Sequence, residues 1–182
     1  MTENNNYYCA TIGFFDGVHR GHRQVISRLK DIAKAKGMPT MAITFDNHPM
    51  EVVRPGFVPE LLITYKEKSR RLSATGVDRV EVIHFTRDIM NMPARDFMER
   101  ILRNRLGVRV LVIGYDNRFG RRNPEETFET YVEYGRELGI EVIEGPRPEE
   151  CGLFEGQPVS SSLIRKLMKD GREDAAQQLM ML

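Results

Sequence analysis

Short apolar runs alternate with amphipathic stretches along this chain. Tyr7 to Gly13, Thr40 to Phe45, Arg79 to Phe85, Val108 to Gly114 and Ile140 to Glu144 are β-branched and aromatic runs bounded by Gly, Pro or polar residues. The pattern predicts five strands. Between them, Val25, Ile26, Leu29, Ile32 and Ala33 recur on one helical face ahead of Gly37, and Phe97, Met98, Ile101, Leu102 and Leu106 do so ahead of Gly107. A glycine just past each stretch is the usual helix stop. Thr64 and Glu67 have capping-box spacing ahead of Gly76, and Asn123, Pro124 and Glu126 predict a further helix start ahead of Gly139. Two closing helices are expected at about Ser161 to Lys169 and Glu173 to Leu179. The β-α alternation predicts an α/β fold with a doubly wound parallel sheet, in which ligands bind beyond the C-terminal strand ends. The stretch from Asn47 to Ile63, with three prolines, predicts a long loop, and the chain from Gly145 to Pro158 predicts irregular structure.

Composition narrows the class. With 182 residues, 41% apolar and 29% charged, one compact domain is expected, large enough to stand without disulfide or metal. Cys9 and Cys151 are expected as free thiols. The start MTENNNYY has no signal-peptide pattern and no apolar run reaches membrane-spanning length, which predicts a soluble cytoplasmic protein. Lys and Arg number 27 against 26 Asp and Glu, so no overall field favours nucleic acid or membrane as partner. Any anion site must be local.

Four stretches carry candidate chemistry. GFFDGVHRGH, residues 13 to 22, follows the first strand and opens the first helix. It is neither a Walker loop nor G-x-G-x-x-G. Gly13, Gly17 and Gly21 allow close backbone approach to a ligand, the helix start supplies unpaired N–H groups, and His19 and His22 can project together. That suits a polyphosphate. A helix cap with two solvated histidines, or two metal ligands completed by His48 or His84, are the competing readings. VSSSLIRKL, residues 159 to 167, sets Ser160, Ser161 and Ser162 at a helix start with Arg165 one turn on, which suits terminal phosphates. The plainer alternative is an N-cap and a surface charge. GYDNRFGRR leaves the fourth strand with Gly114, Asp116 and Arg118, and TFDNHP leaves the second with Asp46, Asn47, His48 and Pro49. His48 before proline also fits ordinary turn chemistry.

These stretches, in order, resemble a known family. GFFDGVHRGH is similar to the GNFDGVHRGH signature of bacterial FAD synthetases, which share an H-x-G-H core with a superfamily of nucleotidylyltransferases. VSSSLIRKL resembles the late I-S-S-T-x-I-R motif, TFDNHP the family's TFDPHP, LLITYKEKSRRL its LLT-x-x-x-K segment, and GYDNRFG its G-x-D-F-x-FG. Phe14 stands where the family has Asn, Asn47 where it has Pro, and Asn117 where it has Phe.

The resemblance implies a Rossmann-like nucleotidylyltransferase fold and transfer of AMP from ATP to FMN, giving FAD and pyrophosphate with Mg2+. It implies catalytic roles for His19, His22 and Arg165. Nucleotide contacts would fall to Gly13, Phe14, Phe15, Asp16, Gly17, Gly114, Asp116, Arg118, Ser160, Ser161 and Ser162. The flavin would lie against Asp46, Asn47, His48 and Pro49. No metal ligand is assigned, because magnesium rides on the phosphates. Family sequences continue through L-G-R-P-Y into a riboflavin kinase domain, whereas this sequence closes on LMML. A kinase domain, separate from this chain or missing from it, is therefore an expected partner. Rival readings are a related nucleotidylyltransferase with another phosphorylated acceptor, and a non-catalytic flavin or nucleotide sensor.

Overall fold

A computed structural model describes residues 7–114, 117–121 and 123–181. Five strands, β1 (Tyr8–Ile12), β2 (Thr40–Phe45), β3 (Arg79–Ile83), β4 (Val108–Ile113) and β5 (Glu141–Glu144), form one sheet in the order β3-β2-β1-β4-β5. Every neighbouring pair in it is parallel. The strands agree with the sequence pattern to within two residues at each end. The chain runs outward from β1 to β3 and then restarts on the other side of β1 with β4, which makes the β1/β4 border the topological switch.

Helices cover both faces. Helix α1 (Arg20–Lys36) and α3 (Tyr65–Ala74) pack on one, where Ile26, Leu29 and Leu72 meet Cys9, Ala42 and Val112. On the other, α5 (Ala94–Phe97) widens into a π-helix over Met98–Arg105 and packs beside α6 (Phe128–Leu138). Phe97, Leu102 and Tyr131 there meet Ile12, Ile43 and Leu111. β2 is buried throughout and β1 at every residue but the first, so burial is continuous rather than alternating along both, as in a sheet covered on both faces.

Several boundaries differ from the sequence reading. The loop from Asn47 to Ile63 contains a short helix, α2 (Pro49–Val53), begun by His48, whose Nδ1 accepts from the Met50 amide at 3.1 Å. Helix α6 does not begin at Asn123: Oδ1 of that residue accepts from the Glu125 amide at 3.1 Å, closing a local turn, and the helix starts after Thr127. A further short helix, α4 (Arg87–Asn91), had no periodic signal. The irregular stretch after Gly145 holds a small hairpin of β6 (Leu153–Phe154) and β7 (Gln157–Pro158), turned by Glu155 and Gly156, both at positive φ. Helices α7 (Ser161–Lys169) and α8 (Glu173–Met180) close the chain as expected.

Candidate active site

A cleft of about 880 Å³ opens at the C-terminal ends of β1 and β4. Its walls come from residues 11–25, from Gly114 and Asn117, and from the hairpin and the start of α7. The floor is the turn from β1 into α1. Phe15 and Val18 hold φ of 54° and 45° there, a left-handed conformation that costs a β-branched residue such as valine about 1 to 2 kcal/mol.

Side chains from four elements hold that strained turn in place. Thr44 Oγ1 and Lys68 Nζ donate to the Phe14 carbonyl at 3.1 and 2.9 Å. Ser161 Oγ donates to the Asp16 carbonyl at 3.0 Å, Arg71 to that of Gly17 at 3.4 Å and Arg23 to that of Val18 at 3.0 Å. The Phe15 carbonyl accepts from the Val18 amide at 3.1 Å. Arg71 and Arg23 also donate to the carbonyl of Met180, at 3.1 and 3.3 Å. Strain of this kind persists only where the surroundings over-determine it.

His19 and His22 stack with ring centroids 3.6 Å apart and an interplanar angle of 22°. His19 is the N-cap position of α1 but makes no capping bond with its side chain. Burial, reinforced by Arg23 and Arg165, lowers the His19 pKa to about 4. Burial and the neighbouring His19 push His22 well below its usual range. Both rings are therefore neutral at pH 7. Nδ1 of each is sealed from solvent without a hydrogen-bond partner. The tautomer with the proton on Nε2 leaves only a lone pair at the buried Nδ1, so Nε2–H is each ring's donor. The solvated-histidine alternative does not fit this burial.

The three glycines serve the protein more than an open approach path. A Cβ on Gly13 would meet the Phe15 ring at 3.1 Å, one on Gly17 would meet Leu62 at 2.9 Å, and one on Gly21 would meet the Val159 carbonyl at 3.1 Å and the His19 ring at 3.2 Å. Gly21 thus leaves room at the start of α1 for both the Val159 carbonyl, one residue before the Ser160 cap of α7, and the His19 ring.

The opposite wall is the start of α7. Ser160 Oγ caps the helix by accepting from the Leu163 amide at 3.2 Å, Ser161 ties to the turn, and Ser162 is exposed. Arg165 is no free surface charge. Its Nη2 is ion-paired to Asp16 and its Nε donates to the Glu60 carbonyl at 2.8 Å. Asp16 is 4% exposed, and its carboxylate also accepts from the Leu62 amide at 3.0 Å. Its carboxylate is a clasp joining the turn, the 59–63 loop and α7.

The cleft brings together Gly13, Phe14, Phe15, Asp16, His19, His22, Gly114, Ser160, Ser161, Ser162 and Arg165. Asp116 lies outside the described residues. Arg118 is not on the cleft wall; it donates to the Asn117 carbonyl at 2.7 Å and lies 6.0 Å from the centre of the Tyr131 ring. Asp46, Asn47, His48 and Pro49 stand beside the cleft, joined to it through Phe14, whose ring meets that of His48 edge-on at 5.0 Å. Asp46 pairs with His84 at 2.8 Å, and Asn47 exchanges bonds of 2.9 and 2.7 Å with the Phe85 backbone. With His48 serving as a cap and His84 on Asp46, neither completes a metal site with His19 and His22. Among the described residues there is no group of three His, Cys, Asp or Glu side chains able to hold a metal.

Residue reasoning missed Asn117, Lys68, Arg23 and Arg71. Asn117 Nδ2 donates to the Ile12 carbonyl at the β1/β4 switch. Lys68 had one signal, its place at the lysine of the T-x-x-x-K resemblance.

A cleft at the topological switch, with neutral paired imidazoles at one helix start and serines with a guanidinium at another, defines an α/β domain of the nucleotidylyltransferase type. The chain belongs to the FAD synthetase family, whose sequence model matches residues 1–163. It is 32% identical over 170 residues to the bifunctional riboflavin kinase/FMN adenylyltransferase of Escherichia coli K12, covering 93% of this chain and 53% of that one. To the Pseudomonas fluorescens protein of the same description it is 33% identical, with 94% and 53% covered. The chain thus spans about half the length of the curated relatives it matches. Among solved structures it is similar to a macrolide-efflux protein from Streptococcus pneumoniae, with a TM-score of 0.80 and 25% identity, covering 96% of this chain and 55% of that one. Among the described residues no helix is long and apolar enough to cross a membrane.

Proposed function

We propose that this chain transfers the AMP moiety of ATP to FMN, giving FAD and pyrophosphate. A phosphate monoester with its second pKa near 6 is mostly dianionic at neutral pH, so the acceptor needs no general base. An oxygen of the FMN phosphate forms the new bond to the α-phosphorus, and the bond from that phosphorus to the bridging β-phosphate oxygen breaks, its electron pair leaving with pyrophosphate. The protein's task is positioning and stabilisation of charge on the α-phosphoryl oxygens and the leaving group.

His19 and His22 each offer an Nε2–H donor to that region and, being neutral beforehand, demand no proton on binding. The start of α7 and the Arg165 guanidinium take the β and γ phosphates, with Nη1 the corner not engaged by Asp16 or Glu60. Phe14 and the segment from Asp46 to Pro49 form the acceptor side. Gly114 and the loop after β4 take the nucleoside. The Asp16 and Asp46 carboxylates are already paired with Arg165 and His84, so these residues build no magnesium cage. Magnesium would come with the nucleotide phosphates.

The stacked, neutral histidine pair facing the start of α7 carries this reading most directly. The purified chain, given ATP with FMN or with other phosphorylated acceptors, is expected to release pyrophosphate and form FAD with FMN. ATP consumption with a different acceptor alone would assign another nucleotidylyltransferase activity, and flavin binding without pyrophosphate release would assign a sensor.

A further inference from the structure

Lys68 is a lysine in the wrong place for a surface charge. It lies on α3, in the highly charged stretch YKEKSRR, yet it is 2% exposed. Its ammonium donates to the Phe14 carbonyl at 2.9 Å and the Phe45 carbonyl at 2.7 Å, and sits 4.0 Å from the centre of the Phe14 ring. Three donors thus meet two carbonyls and one aromatic face. The carbonyls belong to the residues just past β1 and at the end of β2, neighbouring strands whose backbone pairing stops there. The Phe14 ring meets His48 edge-on at 5.0 Å and Tyr65 at 6.4 Å.

We infer that Lys68 is a positioning residue for the acceptor side of the cleft: its ammonium continues the β1–β2 pairing past the strand ends and fixes Phe14 against the 46–49 segment. The inference rests on the proposed function only for the identity of the acceptor. The nucleotide side has its own anchor in the bond from Ser161 to Asp16, so loss of Lys68 acts on one half of the cleft. Burial lowers its pKa to about 8, against the raising fields of Asp16 and Asp46, so the ammonium is still the main form at neutral pH.

The test is Lys68→Met in the full chain, with steady-state kinetics and peptide-level hydrogen exchange. Expected is a rise of about tenfold or more in the KM for FMN, as the Phe45 carbonyl loses the Lys68 donor and the Phe14 carbonyl keeps only Thr44, with the KM for ATP within about threefold. Exchange should accelerate at 12–17 and 44–48 while α6 stays protected. An unchanged KM for FMN in a folded variant, or equal rises for both substrates, overturns the inference. If Lys68→Met does not fold, Phe14→Leu keeps both carbonyl contacts and removes the ring face. A rise confined to FMN then supports the inference, and no rise overturns it. If the wild-type chain does not turn over FMN, the proposed function fails on its own, and the exchange pattern decides: local acceleration supports the positioning role, and global or absent change overturns it.

Discussion

Asp16 and Arg165 stand 149 residues apart in sequence and form an ion pair in which the carboxylate is 4% exposed and the guanidinium 29%. The arginine that faces the cleft is thereby already oriented before any substrate arrives, because its second contact, to the Glu60 carbonyl, fixes the plane of the fork. A charge held this way contributes both to folding and to binding, and the two contributions can be separated.

Arg165→Ala leaves the Asp16 carboxylate buried without its counter-charge. It should cost roughly 2 kcal/mol or more in chemical denaturation, short of a fully buried pair because the guanidinium is partly exposed. Turnover should fall clearly as well. Arg165→Lys keeps the charge, loses the fork, and should recover more stability than turnover. Stability lost with turnover per folded molecule intact would make the arginine a clasp and nothing more.

Loss of either imidazole should act on the chemical step. His19→Asn and His22→Asn are each expected to lower single-turnover rates about a hundredfold to a thousandfold, the usual effect of removing one transition-state donor, with FMN affinity little changed. Near wild-type rates in both variants would remove the pair from the mechanism.

The same histidines predict acid sensitivity. Their folded pKa values lie below the unfolded value of about 6.5, with His19 at about 4, so the unfolded chain binds more protons between those limits. The stability that goes with the neutral rings is full above about pH 6.5 and is lost as pH falls toward 4. For His19 alone the difference is about 3 kcal/mol at its largest. Denaturation midpoints across that window should fall less steeply in the His19→Asn variant; an identical slope would contradict the buried neutral assignment.

Gly135 offers a prediction remote from the cleft. It faces β5 from α6, and a Cβ there would run into the Ile140 carbonyl and the Val142 side chain. Backbone cannot yield as a side chain can, so Gly135→Ala should destabilise by about 1 to 3 kcal/mol despite alanine's better helix propensity. An unchanged melting temperature would contradict this packing.

How far the sequence revealed all this depended on whether a residue's role is local. β1, β2 and β4 are buried along nearly their whole length, so their runs are rich in apolar and β-branched residues and legible. Helix α7 was readable from Ser160, which caps it alone. The start of α6 was misread because Asn123 makes a turn with Glu125, a bond that competes with capping and leaves the same residue pattern. The cluster of His19, His22 and the α7 serines was foreseeable from the motifs. The inward turn of Asp16 was not, since it depends on Leu62 and Arg165 arriving from elsewhere. Lys68 was hidden for the same reason: its charged neighbours on α3 mark a solvent face, and only the packing of that helix over two strand ends buries one of its lysines.

The two arginines that hold the strained turn reach past it to Met180. Arg23 and Arg71 each bridge a turn carbonyl and the last residue of α8, so the turn and α8 are tied to each other directly. The final helix is in effect stitched to the histidine-bearing turn: two guanidinium groups span from Met180 to Gly17 and Val18 without crossing the sheet.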